Sequence, residues 1–357
     1  MNKIQTLNNI SPVGLDKLPR ERYEVSSEIA NPDAILVRSA KMHTLEIGNN
    51  LKAVGRAGAG VNNIPLDKMS EKGVVVFNAP GANANAVKEL VISSMLLASR
   101  NICQLPGKTL GIVGLGAIGV QIANAANALG MRVIGFDPSI TIKSAWKLSA
   151  DVEQALSVDE LFAQSDFVSF HVPLVAGTKN LLNETRIALL PAGATILNFA
   201  RDGIVDEEAL MVALEAGKVK YYVTDFPIDD KKNHDRVIAL PHLGASTAEA
   251  EDNCAIMVAN QVKDYLENGN ILNSVNFPEA KMPRVGEFRL AITHQNIPNM
   301  VGQISTILAD AKINIIDMLN KSREEVAYTL IDIESGIPDA VVDNLKQVKG
   351  ILSVRAL

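Results

Sequence analysis

Three glycines with the spacing G-x-G-x-x-G, Gly114, Gly116 and Gly119, lie in the run Gly111–Gly119, and an acid, Asp137, follows. This spacing suits a dinucleotide. Gly114 permits a tight turn, Gly116 leaves a pyrophosphate free of any Cβ, and Gly119 lets a helix pack close to a sheet. The backbone N–H groups of Ala117 and Ile118 open that helix, and a helix N-terminus favours an anion. A carboxylate at Asp137 accepts ribose hydroxyls and repels a 2′-phosphate, so the expected cofactor is NAD rather than NADP. Two more residues have side chains suited to chemistry on a ligand. Arg201 and His242 each follow an apolar stretch, near the sheet edge where open α/β folds bind ligands. A guanidinium clamps a carboxylate bidentately and polarises an adjacent carbonyl. An imidazole has the pKa range of a base that takes a hydroxyl proton as a hydride departs. The competing readings are a surface ion pair for Arg201 and a satisfied, half-buried histidine for His242.

The elements that position these residues read as a repeating strand–helix rhythm, which argues for parallel sheets. Met1–Asn8 reads as an edge or first strand. Ala34–Val37, Leu51–Val54 and Val74–Phe77 are short apolar runs, and Asn83–Arg100 is one long helix. The rhythm resumes with strands at Thr109–Val113, Met131–Phe136, Phe167–His171, Ala194–Phe199, Tyr221–Phe226 and Val237–Leu240. Ser157 to Glu160 is a capping box, Asp206 starts another helix, and Ser246–Glu267 is a long helix. Asn276–Gly286 reads as a linker containing proline and charge. Beyond it, strand, helix, strand, strand, helix, strand from Arg289 to Ala356 is a βαββαβ ferredoxin-like order.

Composition narrows the function classes. A chain of 357 residues exceeds one typical core. No apolar run is long enough for a membrane span and the start is not of signal type, so no membrane partner is expected. The net charge of −6 argues against nucleic acid. The two cysteines, Cys103 and Cys254, make no disulfide framework, and they fit a cytoplasmic location as buried or inert thiols. No metal is expected.

These motifs occur together with V-R-S-A-K (Val37–Lys41), R-A-G-A-G-V-N-N-I (Arg56–Ile64), F-N-A-P-G-A-N (Phe77–Asn83), N-F-A-R-D-G-I-V-D (Asn198–Asp206) and P-H-L-G-A-S-T (Pro241–Thr247). In this order they resemble the D-2-hydroxyacid dehydrogenase family over nearly the whole chain. The likeness is strongest to its shorter phosphoglycerate-oxidising members with a carboxy-terminal ACT domain. The resemblance implies an α/β fold of two Rossmann- or flavodoxin-like parallel-sheet domains with an interdomain active site, plus the ferredoxin-like ACT domain. The implied domains are residues 1–82 completed by 248–275 for substrate, 83–247 for NAD, and 287–357 for regulation. It also implies a homo-oligomer, dimer or tetramer. The connection Asn101–Pro106 is shorter than the stretch such proteins carry there.

The resemblance also distributes roles. Arg201 orients the acid and His242 is the base, singled out by its context from His43, His171, His234 and His294. The acid that supports the base falls at Asp229, where the family has glutamate, with Asp230 competing. Thr224 stands where many members have an aspartate that contacts the nicotinamide amide, so that contact is assigned to Asp225, one step out of register. Val172, Pro173, Phe199, Ala200, Gly244 and Ala245 line the cofactor, while His171 is structural. Arg38, Ser39 and Asn83 face the substrate's phosphate. Lys41 either joins them or is a solvated loop charge. Gly58 and Gly60 lie in the loop whose backbone donors meet the substrate carboxylate. His294, Asn296 and Asn314 match positions that bind serine as a feedback effector across a two-fold ACT interface. The unit is equally readable as a dimerisation module without a ligand, and Asn299-Met300 replaces the commoner Gly-Val.

The activity that the resemblance implies is NAD-dependent oxidation of 3-phosphoglycerate, a phosphorylated 2-hydroxy acid, to 3-phosphohydroxypyruvate in L-serine biosynthesis. The alternatives are a glyoxylate or hydroxypyruvate reductase, and an NAD-responsive binding protein that catalyses nothing.

Overall fold

A computed structural model describes residues 1–99, 105–226, 234–243 and 246–357. The chain divides into two compact units, residues 1–82 with 251–357, and residues 83–250.

The first unit contains a parallel sheet of β1 (Asn2–Leu7), β2 (Tyr23–Ser26), β3 (Ala34–Val37), β4 (Ala53–Arg56) and β5 (Val75–Phe77). Its order, β2-β1-β3-β4-β5, is of the flavodoxin type. β1 therefore lies between two neighbours rather than at an edge. Apolar side chains cover both faces, as parallel sheets require. Ile4, Leu36 and Phe77 pack with Val258, Val262 and Tyr265 of the helix Ala248–Asn268. Ile35, Val54 and Val76 pack with Met69 on the other face.

The second unit is built on a seven-stranded parallel sheet: β6 (Thr109–Val113), β7 (Arg132–Phe136), β8 (Glu153–Gln154), β9 (Phe167–Phe170), β10 (Ala194–Asn198), β11 (Val219–Thr224) and β12 (Val237–Ala239). The order β12-β11-β10-β9-β6-β7-β8 is that of a Rossmann sheet with an added strand. It reverses between β6 and β9, and a dinucleotide binds at such a switch point. β11 begins two residues before the expected Tyr221 and stops at Thr224, which leaves Asp225 and Phe226 in the turn beyond the sheet. The long helix spans Ala84–Ser99.

A third, antiparallel sheet belongs to the first unit. It consists of β13 (Phe288–Gln295), β14 (Ile315–Arg323), β15 (Val326–Ile333) and β16 (Ile351–Ala356), in the order β14-β15-β13-β16 expected of βαββαβ. The segment expected as a linker is packed. Phe277 and Met282 are buried, Ala280 bridges to Ile271, and the Asn276 side chain bonds Val76 N and Val74 O. Arg289 and Asp332, both wholly buried, form a bidentate pair. The guanidinium also donates to the carbonyls of Asn268, Met282 and Pro283. These bonds tie the segment to the small sheet.

Candidate active site

The glycine motif has the geometry its spacing predicts. Gly114 has φ +96°, and a Cβ there would lie 2.5 Å from the His171 carbonyl, in the loop after β9. A Cβ on Gly119 would lie 2.0 Å from the Gly114 carbonyl. Gly116 differs from both. It is extended, it precedes the helix Ala117–Ala128, and a Cβ there would meet no protein atom within 4 Å. The space left open beside a helix N-terminus fits a pyrophosphate. Asp137 accepts the N–H groups of Leu115 (2.9 Å) and Ser139 (2.8 Å), so its carboxylate is held at the turn with lone pairs to spare for ribose. These residues therefore fit NAD. Val172 is half-buried and Pro173 exposed on the β9 loop, while Phe199 and Ala200 are buried. His171 bonds Ser169 Oγ through Nε2 at 2.8 Å, and desolvation of the ring pushes its pKa down to about 3. It is a neutral structural histidine. Gly244 and Ala245 lie outside the described residues.

The side chains expected to act in catalysis follow strand ends. Asn198, at the end of β10, uses its side chain to accept from Ala200 N and donate to Arg201 O. It thereby shapes the turn that presents Arg201, a role sequence reasoning missed although the motif contains it. Arg201 is exposed, and Nη1 donates to Ala200 O. Thr224 Oγ1 donates to Asn198 O and accepts from Phe226 N. The hydroxyl is therefore spent on joining β11 to β10. His242 Nδ1 lies 2.9 Å from Asp225 Oδ2, and the His242 ring packs 5.0 Å from that of Phe226. The Asp225 side chain is 3% exposed and that of His242 62% exposed. Sequence reasoning expects Asp225 at the nicotinamide amide and Asp229 at the histidine. Here Asp225 is the residue against His242, because the strand ends one residue before it. Asp229 and Asp230 lie outside the described residues.

In the first unit, the Arg38–Lys41 loop is held by Asn8, whose side chain accepts from Ser39 N and Ala40 N. Arg38 pairs with Glu251 at 2.7 Å, whereas Ser39 and Lys41 are exposed. Sequence reasoning did not single out Arg56. Its Nε is buried without a partner beside Gly58, which has φ +150°. Burial and the neighbouring charge of Arg38 pull its pKa down, with Cys254 opposing. Two guanidinium groups thus converge with no matching second carboxylate among the described residues. Gly60 is half-buried, and Asn83 stands at the start of the long helix.

The three residues expected to bind an effector do not meet within one chain. His294 is buried, its ring nitrogens bonded to Gln295 O and Thr329 Oγ1. Asn296 donates to Glu324 O. Asn314 is exposed, just before the end of β14 that pairs with Ile333, while His294 pairs with Ala327. At the rise of a strand, this register puts them roughly 20 Å apart. Asn299 takes the left-handed conformation (φ 67°) that a glycine would favour there, which asparagine tolerates.

Fold and site together define a nucleotide-dependent oxidoreductase, with a Rossmann sheet, a glycine turn open at a helix N-terminus, and a histidine paired with a buried carboxylate after the strands of that sheet. The family model for D-isomer specific 2-hydroxyacid dehydrogenase, NAD binding domain, matches residues 85–244. D-3-phosphoglycerate dehydrogenase of Haemophilus influenzae is 35% identical over 344 residues, covering 88% of this chain and 83% of that protein. The Bacillus subtilis enzyme of the same name is 39% identical over 283 residues, and the match spans 71% of this chain and 53% of that longer protein. The solved structure of NAD+-bound 3-phosphoglycerate dehydrogenase from Entamoeba histolytica superimposes with a TM-score of 0.64 and 28% identity, over 77% of this chain and 98% of that one. The chain belongs to the D-2-hydroxyacid dehydrogenase family, and its cofactor is NAD.

Proposed function

We propose that the protein oxidises 3-phosphoglycerate to 3-phosphohydroxypyruvate, a step toward L-serine. The observation that carries this substrate is the pair Arg38 and Arg56, the latter with a buried, unpartnered Nε. A phosphate is a dianion that two guanidinium groups recognise, with Arg38 held in place by Glu251. Ser39 and Lys41 add a hydroxyl and a further cation, with Asn83 as a polar contact. The loop of Gly58 and Gly60 offers backbone N–H groups suited to a carboxylate, and Arg201 offers a guanidinium that can clamp a carboxylate and polarise an adjacent oxygen. His242 takes the hydroxyl proton on Nε2, the ring nitrogen left open by the contact of Nδ1 with Asp225. When bound, NAD supplies the hydride acceptor.

Purified protein, NAD and a panel of 2-hydroxy acids test this by NADH formation. The rate with 3-phosphoglycerate should exceed that with glycerate or lactate at least tenfold. Reduction of glyoxylate or hydroxypyruvate, without a rate on 3-phosphoglycerate, overturns it. The same reading carries a cytoplasmic, homo-oligomeric enzyme with serine as effector. In this reading His294 and Asn296 of one copy face Asn314 of another, an arrangement compatible with their separation in the register of the small sheet. Serine should lower the rate of the parent and have less effect on Asn314→Ala, and the assembly is read by light scattering.

A further inference from the structure

We propose that Asp225 is the carboxylate that positions His242 for proton transfer, in place of the acid that family alignment puts at Asp229. The proposal rests on the dehydrogenase reading above. The first support is geometric. His242 Nδ1 is 2.9 Å from Asp225 Oδ2, and no other partner of the ring nitrogens is found among the described residues. The second is the local backbone. β11 ends at Thr224, whose hydroxyl accepts Phe226 N, and this small turn sets Asp225 beyond the strand, under the imidazole. The Phe226 ring then packs against the imidazole. The third is the burial of Asp225, whose second oxygen has no partner. Removing a carboxylate from water costs several kcal/mol unless a charge answers it. The titratable and charged groups facing Asp225 are His242 and Arg201. Burial raises its pKa, and the neighbouring His242 and Arg201 oppose that rise.

The chemistry follows from the contact. A carboxylate accepting from Nδ1–H fixes the tautomer in which Nε2 holds the lone pair. When Nε2 takes the substrate proton, the imidazolium and Asp225 become a charge pair, so the protonated ring is stabilised while Asp225 stays ionised. Asp225 is thus a positioning residue that acts through His242.

The test joins kinetics to a readout that needs no turnover. In Asp225→Asn, kcat should fall by roughly 10²-fold or more, with the substrate KM and NADH affinity within about threefold. The acid limb of the pH profile should move to lower pH, and Asp225→Glu should recover part of the rate. Asp229→Asn should keep at least about ten times more kcat than Asp225→Asn. The opposite order overturns the proposal. Independently, nuclear magnetic resonance of the parent should show the Nδ1–H tautomer of His242, and the ring-nitrogen signals should shift in Asp225→Asn. An Nε2–H tautomer in the parent, or unmoved ring signals in a folded variant, overturns the proposal even where the enzyme has no rate. A parent inactive on every 2-hydroxy acid overturns the dehydrogenase reading instead, and the tautomer still decides whether the pair exists.

Discussion

The Asp137 carboxylate accepts the backbone N–H of Leu115 at 2.9 Å, which ties the end of β7 to the turn between Gly114 and Gly116. One side chain therefore supports the glycine turn and keeps lone pairs free for the proposed contact with ribose. Asp137→Ala should weaken NADH binding by roughly 10- to 100-fold, the value of a hydrogen bond to a charged group. It should also narrow the preference over NADPH, since no negative charge remains to repel a 2′-phosphate. Fluorescence titration with both nucleotides reads each effect. Unchanged NADH affinity would remove Asp137 from the site.

Gly119 and Gly116 should respond differently to alanine. A Cβ at 119 would meet the Gly114 carbonyl at 2.0 Å, so Gly119→Ala should lose about 1–3 kcal/mol of stability as well as cofactor binding. At 116 the Cβ meets no protein atom, so Gly116→Ala should melt within a degree or two of the parent and still bind NADH poorly. Equal loss of stability in both variants contradicts the assignment of the Gly116 space to the cofactor.

His242→Ala should lower kcat by roughly 10²–10⁴-fold, the usual worth of a general base, and leave NADH affinity within a few-fold. Stopped-flow traces of the first turnover would localise the loss to the chemical step. A variant with parental turnover is incompatible with His242 as the base.

The His171 ring should give the fold a pH dependence. Its pKa near 3 lies below the unfolded value of about 6.5, so the folded state favours the neutral ring. Above about pH 6.5 the ring is neutral in both states and contributes no slope. As pH falls from there toward 3, only the unfolded chain takes the proton, and stability drops by up to about 1.4 kcal/mol per pH unit. Urea unfolding between about pH 4 and 6 should show a shallower slope for His171→Asn than for the parent. Parallel slopes would argue against the shift.

The buried pair Arg289–Asp332 should matter chiefly when broken. Asp332→Ala leaves a guanidinium uncompensated and should cost about 3–5 kcal/mol. Replacing both residues by apolar ones of similar volume should recover most of that in equilibrium unfolding, because no charge is then buried. If the double variant is as unstable as the single one, the carbonyls that Arg289 gathers matter more than the charge pair.

Legibility followed the range of the interactions. β6, the glycine turn and the helix after it were readable because their determinants lie within about ten residues of one another: the apolar run, the backbone freedom of Gly114 and the absent side chain at Gly116. The order strand, helix, strand, strand, helix, strand after Arg289 was readable for the same reason. β2 (Tyr23–Ser26) was missed because half of its side chains face solvent and it has charged neighbours, so no apolar run marks it. The segment 276–286 read as a linker because proline and charge usually mean solvent, and the partners that bury it, on β5 and β15, are distant in sequence.

The site divides along the same line. Residue types and motif order by themselves determined the family and the cofactor and singled out Arg201 and His242 as candidates, since each carries its chemistry in a local context. The identity of the acid beside the histidine was decided by tertiary structure. Asp225 and His242 are separated by 17 positions and belong to turns after different strands, and β11 stops at Thr224, two residues before the expected end, which leaves Asp225 in the turn against His242. The small sheet shows the same dependence. Its register, not its composition, puts His294 and Asn314 at opposite ends, because pairing along β15 sets their separation.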